Sequence, residues 1–179
     1  MQTLLTYLGT NMPLEITLND KELRQAAAEG MDTFIQLFTD RYMEIIGGNL
    51  TAETMECLNG PQHTLLAYRI LRDEVMEGGF VQLIQNGYGS YIFHNPFARV
   101  LREWGLKELS KLIYAARKIY DEHTEELEHE RSDEDFMAMY EQFEQFDDLE
   151  EVFLEQEEEF TQQIAVYVDE HLNDFARIQ

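Results

Sequence analysis

Apolar side chains recur every three or four residues through the last third of the chain. The members of this stripe are Phe136, Tyr140, Phe143, Phe146, Leu149, Phe153, Phe160, Ile164, Tyr167, Leu172 and Phe175. Such spacing is typical of one buried face of an α-helix. Residues 106–179 contain neither proline nor glycine. We therefore predict two long helices, packed through this stripe, with a break near the polar pair Asp147-Asp148.

Every glycine and proline lies in the first 105 residues, where they divide the chain into shorter elements. Capping residues and breakers predict helices at about residues 20–28, 31–46, 52–59, 61–77, 80–85, 96–104 and 107–123. Asn19 or Asp20 is expected to cap the first of these helices, and Asn95 the helix at 96–104. Only residues 90–93 have a β-like pattern, and four residues are too few to build a sheet. The predicted fold class is all-α, and the length of 179 residues fits a single domain.

Charge distinguishes this chain from a generic helical domain. It has 36 Asp and Glu against 13 Lys and Arg, a formal net charge of −23. A general nucleic-acid binder needs a basic surface and anionic membranes repel acidic chains, so we predict neither direct nucleic-acid binding nor membrane binding. The single cysteine, Cys57, excludes an intramolecular disulfide and fits a reducing compartment. Residues 1–13 lack the features of a secretory signal, and we predict a cytoplasmic protein.

The excess of acids is concentrated in residues 121–160, which we call the acidic segment. It contains 19 acidic residues and one basic residue, Arg131. Fully helical, the segment would span about 60 Å, with about one net negative charge per 3.3 Å. One strand of DNA has a phosphate per ~3.4 Å of axis. The match is one of density alone, because the segment is expected to fold back on itself.

The residues alone leave two interpretations of the acidic segment open. A run of like charges is usually a solvated face. Six basic residues just upstream are available to neutralise part of it: Arg99, Arg102, Lys107, Lys111, Arg117 and Lys118. Surface ion pairs contribute only about 0–1 kcal/mol each, and complete pairing still leaves the net charge of −23. Because solubility needs far less charge, the second interpretation is a functional acidic surface.

No arrangement of residues predicts catalysis or a bound cofactor. Glu126 and His129 form one Glu-x-x-His, whereas a di-iron helical bundle needs two such motifs and further glutamates. Residues 133–135 begin like a calcium loop but lack its glycine. We therefore predict no catalytic residue, no metal and no cofactor. The uncharged residues 78–98 are the best candidate for an irregular pocket or hinge.

The glycine pair in that stretch belongs to a recognisable motif. Residues 74–82 (EVMEGGFVQ), followed by Asn86-Gly87, resemble the signature of the DNA-mimic-protein family. Residues 146–153 (FDDLEEVF) and 167–171 (YVDEH) are similar to the closing helices of that family. The resemblance covers about residues 65–175. Family members usually have Asn where this chain has Glu77.

The resemblance implies an all-helical acidic protein that presents carboxylates, in place of DNA phosphates, to a DNA-binding protein, often a transcription regulator. The signature residues are expected to be structural: Gly78, Gly79, Phe80, Gln82 and Asn86. Phe80 is expected to lie in the core. The amides of Gln82 and Asn86 lie one helical turn apart and are expected to bond a neighbouring loop.

We predict a partner-binding surface on the acidic segment. If the apolar stripe is buried, six carboxylates at steps of three or four form one solvent-facing line: Glu141, Glu144, Asp148, Glu151, Glu155 and Glu158. The predicted function is a non-enzymatic interaction protein that binds the DNA-binding face of a basic DNA-binding protein, and a homodimer is also allowed. The alternatives are a small enzyme or ligand-binding protein with a pocket between Gly78 and Asn95, and an acidic helical protein without mimicry.

Overall fold

A computed structural model describes residues 13–179, except the side chains at positions 133 and 134. Residues 1–12 are outside the described residues. The prediction that residues 1–13 form no secretory signal falls on this segment. The described chain is almost entirely helical, which confirms the all-α fold class. Its contacts define two compact units. One comprises the chain up to Leu66 together with Val168–Gln179, and the other comprises Ala67–Tyr167.

The elements follow one another with short connections. In chain order they are β1 (Thr17–Leu18), α1 (Asp20–Glu29), α2 (Met31–Ile45), α3 (Ala52–Met55), α4 (Gly60–Gln85), α5 (Gly89–Phe93), α6 (Phe97–Glu103), α7 (Lys107–Glu128), α8 (Asp133–Gln142), a 3-10 turn (Glu144–Phe146), α9 (Asp147–Glu170), α10 (Leu172–Phe175) and β2 (Arg177–Ile178).

In the first unit, the predicted start of α1 is confirmed. The Asn19 side chain accepts hydrogen bonds from the backbone N–H groups of Lys21 and Glu22, which satisfies donors that a helix start leaves unpaired. The strands β1 and β2 pair in parallel over two residues each, too short a run to leave a period-two pattern in the sequence. The core of this unit includes Phe175, whose carbonyl accepts a hydrogen bond from the Tyr42 hydroxyl at 3.0 Å.

In the second unit, the region after the glycine pair differs from prediction. The β-like residues 90–93 are helical and lie within α5, because a short helix buries Tyr91, Ile92 and Phe93. The predicted cap at Asn95 is also wrong. Its side chain donates backward to the Tyr91 carbonyl at 2.9 Å, and α6 begins without a side-chain cap.

The C-terminal stripe is buried as predicted, and each of its members is buried or half-buried. The break between the two helices lies before Asp147 rather than within the aspartate pair. Helix α8 ends at Gln142 with Phe143 as its C-cap, and the 3-10 turn precedes α9. The steps from Phe143 to Phe146 and from Phe146 to Leu149 are both three residues, which is the period of a 3-10 helix.

Candidate protein-binding surface

Helix α4 has a kink at its glycine pair. Gly78 (φ −155°, ψ 19°) and Gly79 (φ 74°, ψ −173°) both depart from helical geometry. The positive φ of Gly79 is a conformation that residues with a Cβ rarely adopt. A Cβ at Gly78 would collide with the Gln82 side chain, and one at Gly79 would collide with the Glu150 carboxylate. The kink therefore needs glycine at position 79, whereas a Cβ at position 78 would require the Gln82 side chain to move.

Two side chains from later helices bind the backbone at this kink. Tyr140 of α8 donates its hydroxyl proton to the Gly78 carbonyl at 2.8 Å. Glu150 of α9 accepts the Phe80 N–H at 2.7 Å, which satisfies a donor where the helix resumes. Sequence reasoning missed both roles, because partners more than 60 residues apart leave no local signal. From the sequence, Tyr140 was assigned to the apolar stripe, and Glu150 was not distinguished from the other acids of the acidic segment.

The two amides of the motif bind a carboxylate, so the prediction that they bond a neighbouring loop is wrong. Gln82 and Asn86 donate to the same oxygen of Glu74, at 3.1 and 2.7 Å. Gln82 also donates to Glu77 at 3.2 Å. The kink places residues after the glycine pair beside acids that precede it.

Phe80 lies in the core, where its side chain is fully buried. Its ring centroid is 5.3 Å from that of Phe146 and 6.2 Å from that of Phe93. Aromatic pairs at these separations add to the gain from burial. The glycine motif and the start of the FDDLEEVF run therefore meet in one aromatic cluster.

The inner face of α9 has a second structural carboxylate, Glu157, which is only 6% exposed. It accepts hydrogen bonds from the Arg72 guanidinium and, at 2.7 Å, from the Thr161 hydroxyl. Thr161 in turn accepts the Tyr68 hydroxyl proton at 2.7 Å. A buried charge is tolerated when it is paired and hydrogen-bonded in this way. Glu157 therefore links α9 to α4.

The outer face of α9 is different. Asp148, Glu151, Glu155 and Glu158 are all exposed, and residues three or four apart are neighbours on a helix surface. They form one line, which we call the carboxylate row. Within residues 13–179, none of the four side chains makes an ion pair or a hydrogen bond. Asp147 and Glu159 are exposed on the same helix, so six exposed acids occupy an axial length of about 18 Å.

Glu141 and Glu144 are exposed as well, but they do not extend the row. The prediction that all six carboxylates follow one helix surface is wrong, because the chain leaves α-helical geometry at Phe143. Glu141 belongs to α8 and Glu144 to the 3-10 turn. Steps of three and four residues imply a common line only while the helix is continuous.

Three of the six upstream bases form ion pairs within their own helices. Arg99 lies 3.6 Å from Glu103, Lys111 lies 2.8 Å from Glu108, and Arg117 lies 3.2 Å from Asp121. Each pair is separated by three or four residues, the helix-surface neighbour distance. Among the described residues, these three cations pair locally, and none of the six upstream bases forms an ion pair with the carboxylate row.

Two acids of the acidic segment have shifted pKa values for opposite reasons. Burial raises the pKa of Glu150 above its ordinary value, the charge of Asp147 adds to the increase, and the bond from Phe80 opposes it. The hydrogen bond from His94 lowers the pKa of Asp121, and Arg117 lowers it further. Both are acids with structural partners, which separates them from the carboxylate row.

The groove that the described residues form lies away from the glycine kink. A groove of about 390 Å³ lies between α1 and α2, and no residue between Gly78 and Asn95 lines it. Residues 13–179 contain no group of three or more His, Cys, Asp or Glu placed to hold a metal ion. No helix in the same range is long and apolar enough to cross a membrane.

The fold and this surface define a class of all-helical proteins with an acidic, unneutralised helix face. The model of the family described as DMP19-like protein matches residues 56–171, and the chain belongs to this family. A relative from Neisseria meningitidis serogroup B (strain ATCC BAA-335 / MC58), named DNA mimic protein DMP19, is 36% identical over 127 residues. The match covers 70% of this chain and 77% of the relative. The family resemblance inferred from the sequence is confirmed.

Proposed function

We propose that this protein is a non-enzymatic DNA mimic that binds the DNA-binding face of a basic DNA-binding protein, such as a transcription regulator. The observation that supports this most strongly is the carboxylate row, which is exposed and has no intramolecular counter-charge in the described chain. Membership of the DMP19-like family and the name of the meningococcal relative point the same way.

Charge density supports the proposal independently of any name. Six exposed acids on α9 between Asp147 and Glu159 are spaced on average about 3–4 Å apart along the axis. A single DNA strand has one phosphate per ~3.4 Å. A surface that has evolved to contact successive phosphates offers several Lys and Arg, and an array of carboxylates at a comparable axial density supplies counter-charges for them.

The carboxylates of the acidic segment are proposed to act as an array. An exposed ion pair at the rim of an interface contributes little by itself, whereas the summed field accelerates association and makes binding sensitive to ionic strength. Duplex DNA releases condensed counterions when a protein binds. A folded protein has no such layer, so the salt dependence of the complex is expected to be shallower than that of the partner's DNA complex.

A competition assay tests the proposal. Purified basic DNA-binding proteins of three types, a helix-turn-helix repressor, a β-ribbon repressor and an architectural minor-groove protein, are each bound to a labelled duplex. The chain is then added, and release of the duplex is measured. We expect release from at least one protein, and progressively less release as glutamates are changed to Gln in the set Glu141, Glu144, Glu151, Glu155 and Glu158. Undiminished release by the five-fold variant would contradict the proposal.

A further inference from the structure

Two apolar side chains interrupt the acidic outer face of α9. Val152 is 40% exposed and Leu154 is 50% exposed. Val152 lies four residues after Asp148 and three before Glu155, so it is adjacent to both on the helix surface. Leu154 has the corresponding relation to Glu151 and Glu158. The two side chains therefore flank the carboxylate row, one on each side.

Neither residue is explained by the fold. Single exposed apolar residues are common on protein surfaces, and Val166 farther along α9 is another, but Val152 and Leu154 both adjoin the carboxylate row. Val152 is β-branched and has a lower helix propensity than the glutamates around it. An exposed position gains little from core packing. Positions that depart from local preferences without a structural gain are often functional.

The chemistry of a DNA-binding face indicates what these side chains contact. Such a face has Lys and Arg for phosphates, and it also has apolar groups that contact the C5-methyl of thymine in the major groove. A surface that offers carboxylates beside exposed methyl groups matches both features. Because the carboxylate row is negatively charged, the partner that covers this surface is a basic protein.

We propose that Val152 and Leu154 take the place of base-edge methyl groups and pack against apolar side chains between the cations of the partner's DNA-binding face. This inference rests on the proposed function and adds a contact that charge density does not supply. The partner it describes reads base edges as well as phosphates. Binding then has a component that salt does not screen, because burial of apolar surface is not an ionic interaction.

The test uses the DNA-binding protein from which the chain releases the labelled duplex most strongly. The double variant Val152→Thr with Leu154→Gln removes the apolar groups and keeps the charge. Its affinity for that protein is expected to fall about tenfold, by the same factor at low and at moderate salt. The control Met31→Gln changes an apolar side chain of α2 that is 41% exposed, and it is expected to leave the affinity unchanged.

The outcomes separate this inference from the proposed function. If the Glu→Gln variants lose affinity while the Val152/Leu154 double variant does not, the apolar contact is absent and the mimic proposal stands. A loss that disappears as salt is raised would also overturn the inference. If sedimentation shows that the double variant instead changes self-association and leaves duplex release intact, the residues face a second copy of this chain. If no tested protein releases its duplex, both proposals fail.

Discussion

Helix α9 has carboxylates on both its inner face and its outer face, and the two sets have different roles. On the inner face, Glu150 bonds the backbone of the glycine kink and Glu157 is paired with Arg72. On the outer face, the carboxylate row has no partner in the described chain. The difference shows that the number of acids in a segment does not measure its functional charge. What matters is which carboxylates are left without an internal partner.

The comparison is tested most strongly at the adjacent residues Glu157 and Glu158. Glu157→Ala removes the buried carboxylate that accepts from the Arg72 guanidinium and the Thr161 hydroxyl, and we expect the free energy of unfolding to fall by about 2–3 kcal/mol. Glu158→Ala removes the same groups from an exposed position and is expected to change it by less than ~0.5 kcal/mol. Urea denaturation of both variants measures the difference. Equal effects would mean that the two faces are not distinct.

A substitution at the glycine kink is an equally specific test, with a smaller expected change in the free energy of unfolding. Gly79→Ala places a Cβ at a positive φ and against the Glu150 carboxylate, so we expect a loss of about 1–3 kcal/mol in the free energy of unfolding. Gly60→Ala is the matched control, because Gly60 begins the same helix and nothing lies within 4 Å of an added Cβ. That control is expected to be neutral or slightly stabilising. A neutral Gly79→Ala would show that the kink does not depend on glycine.

A change of pH is expected to alter the free energy of unfolding by less than these substitutions do. Because burial raises the pKa of Glu150, its contribution to stability is fully present below the ordinary glutamate pKa of 4.5 and is lost as pH rises through the folded-state value. The free energy of unfolding should therefore increase modestly as pH falls from 7 toward about 5. Glu150→Gln should reduce this increase.

The pKa of Asp121 is lowered, whereas that of Glu150 is raised. Asp121 therefore changes the free energy of unfolding in the opposite direction and in a different pH range. The hydrogen bond from His94 lowers the pKa of this aspartate, so its stabilising contribution is present above the ordinary value of 3.8 and disappears as pH falls below it. The two titrations are thus separated along the pH axis. A thermal melt series that showed a steady loss of stability between pH 7 and pH 5 would contradict the assignment of Glu150.

Local patterns were sufficient to predict most of the helices. The cap at Asn19 and the stripe of aromatic residues depend on neighbours within a few positions, and both were predictable. The Gly78–Gly79 kink was visible as a motif, but its partners Tyr140 and Glu150 were not. Their contacts join residues more than 60 positions apart, and no periodicity encodes such a pairing.

The sequence was sufficient to predict which residues form the candidate surface, but not how they are arranged. Spacing correctly predicted that six carboxylates are exposed, yet the 3-10 turn at Glu144–Phe146 divides them between elements. The sequence also did not distinguish Glu157 from Glu158, because neighbouring glutamates in a helix look identical until the packed face is known. Tertiary packing therefore decides which acids remain available to a partner.

The central claim is that the carboxylate row, and not total charge, mediates binding to a DNA-binding face. Two triple variants with the same net charge test it directly in the duplex-release assay. One changes Glu151, Glu155 and Glu158 to Gln, and the other changes the exposed residues Glu22, Glu53 and Glu56 to Gln. We predict that the first loses at least about tenfold in affinity for the DNA-binding protein and the second less than about twofold. Equal losses from the two variants would contradict the account.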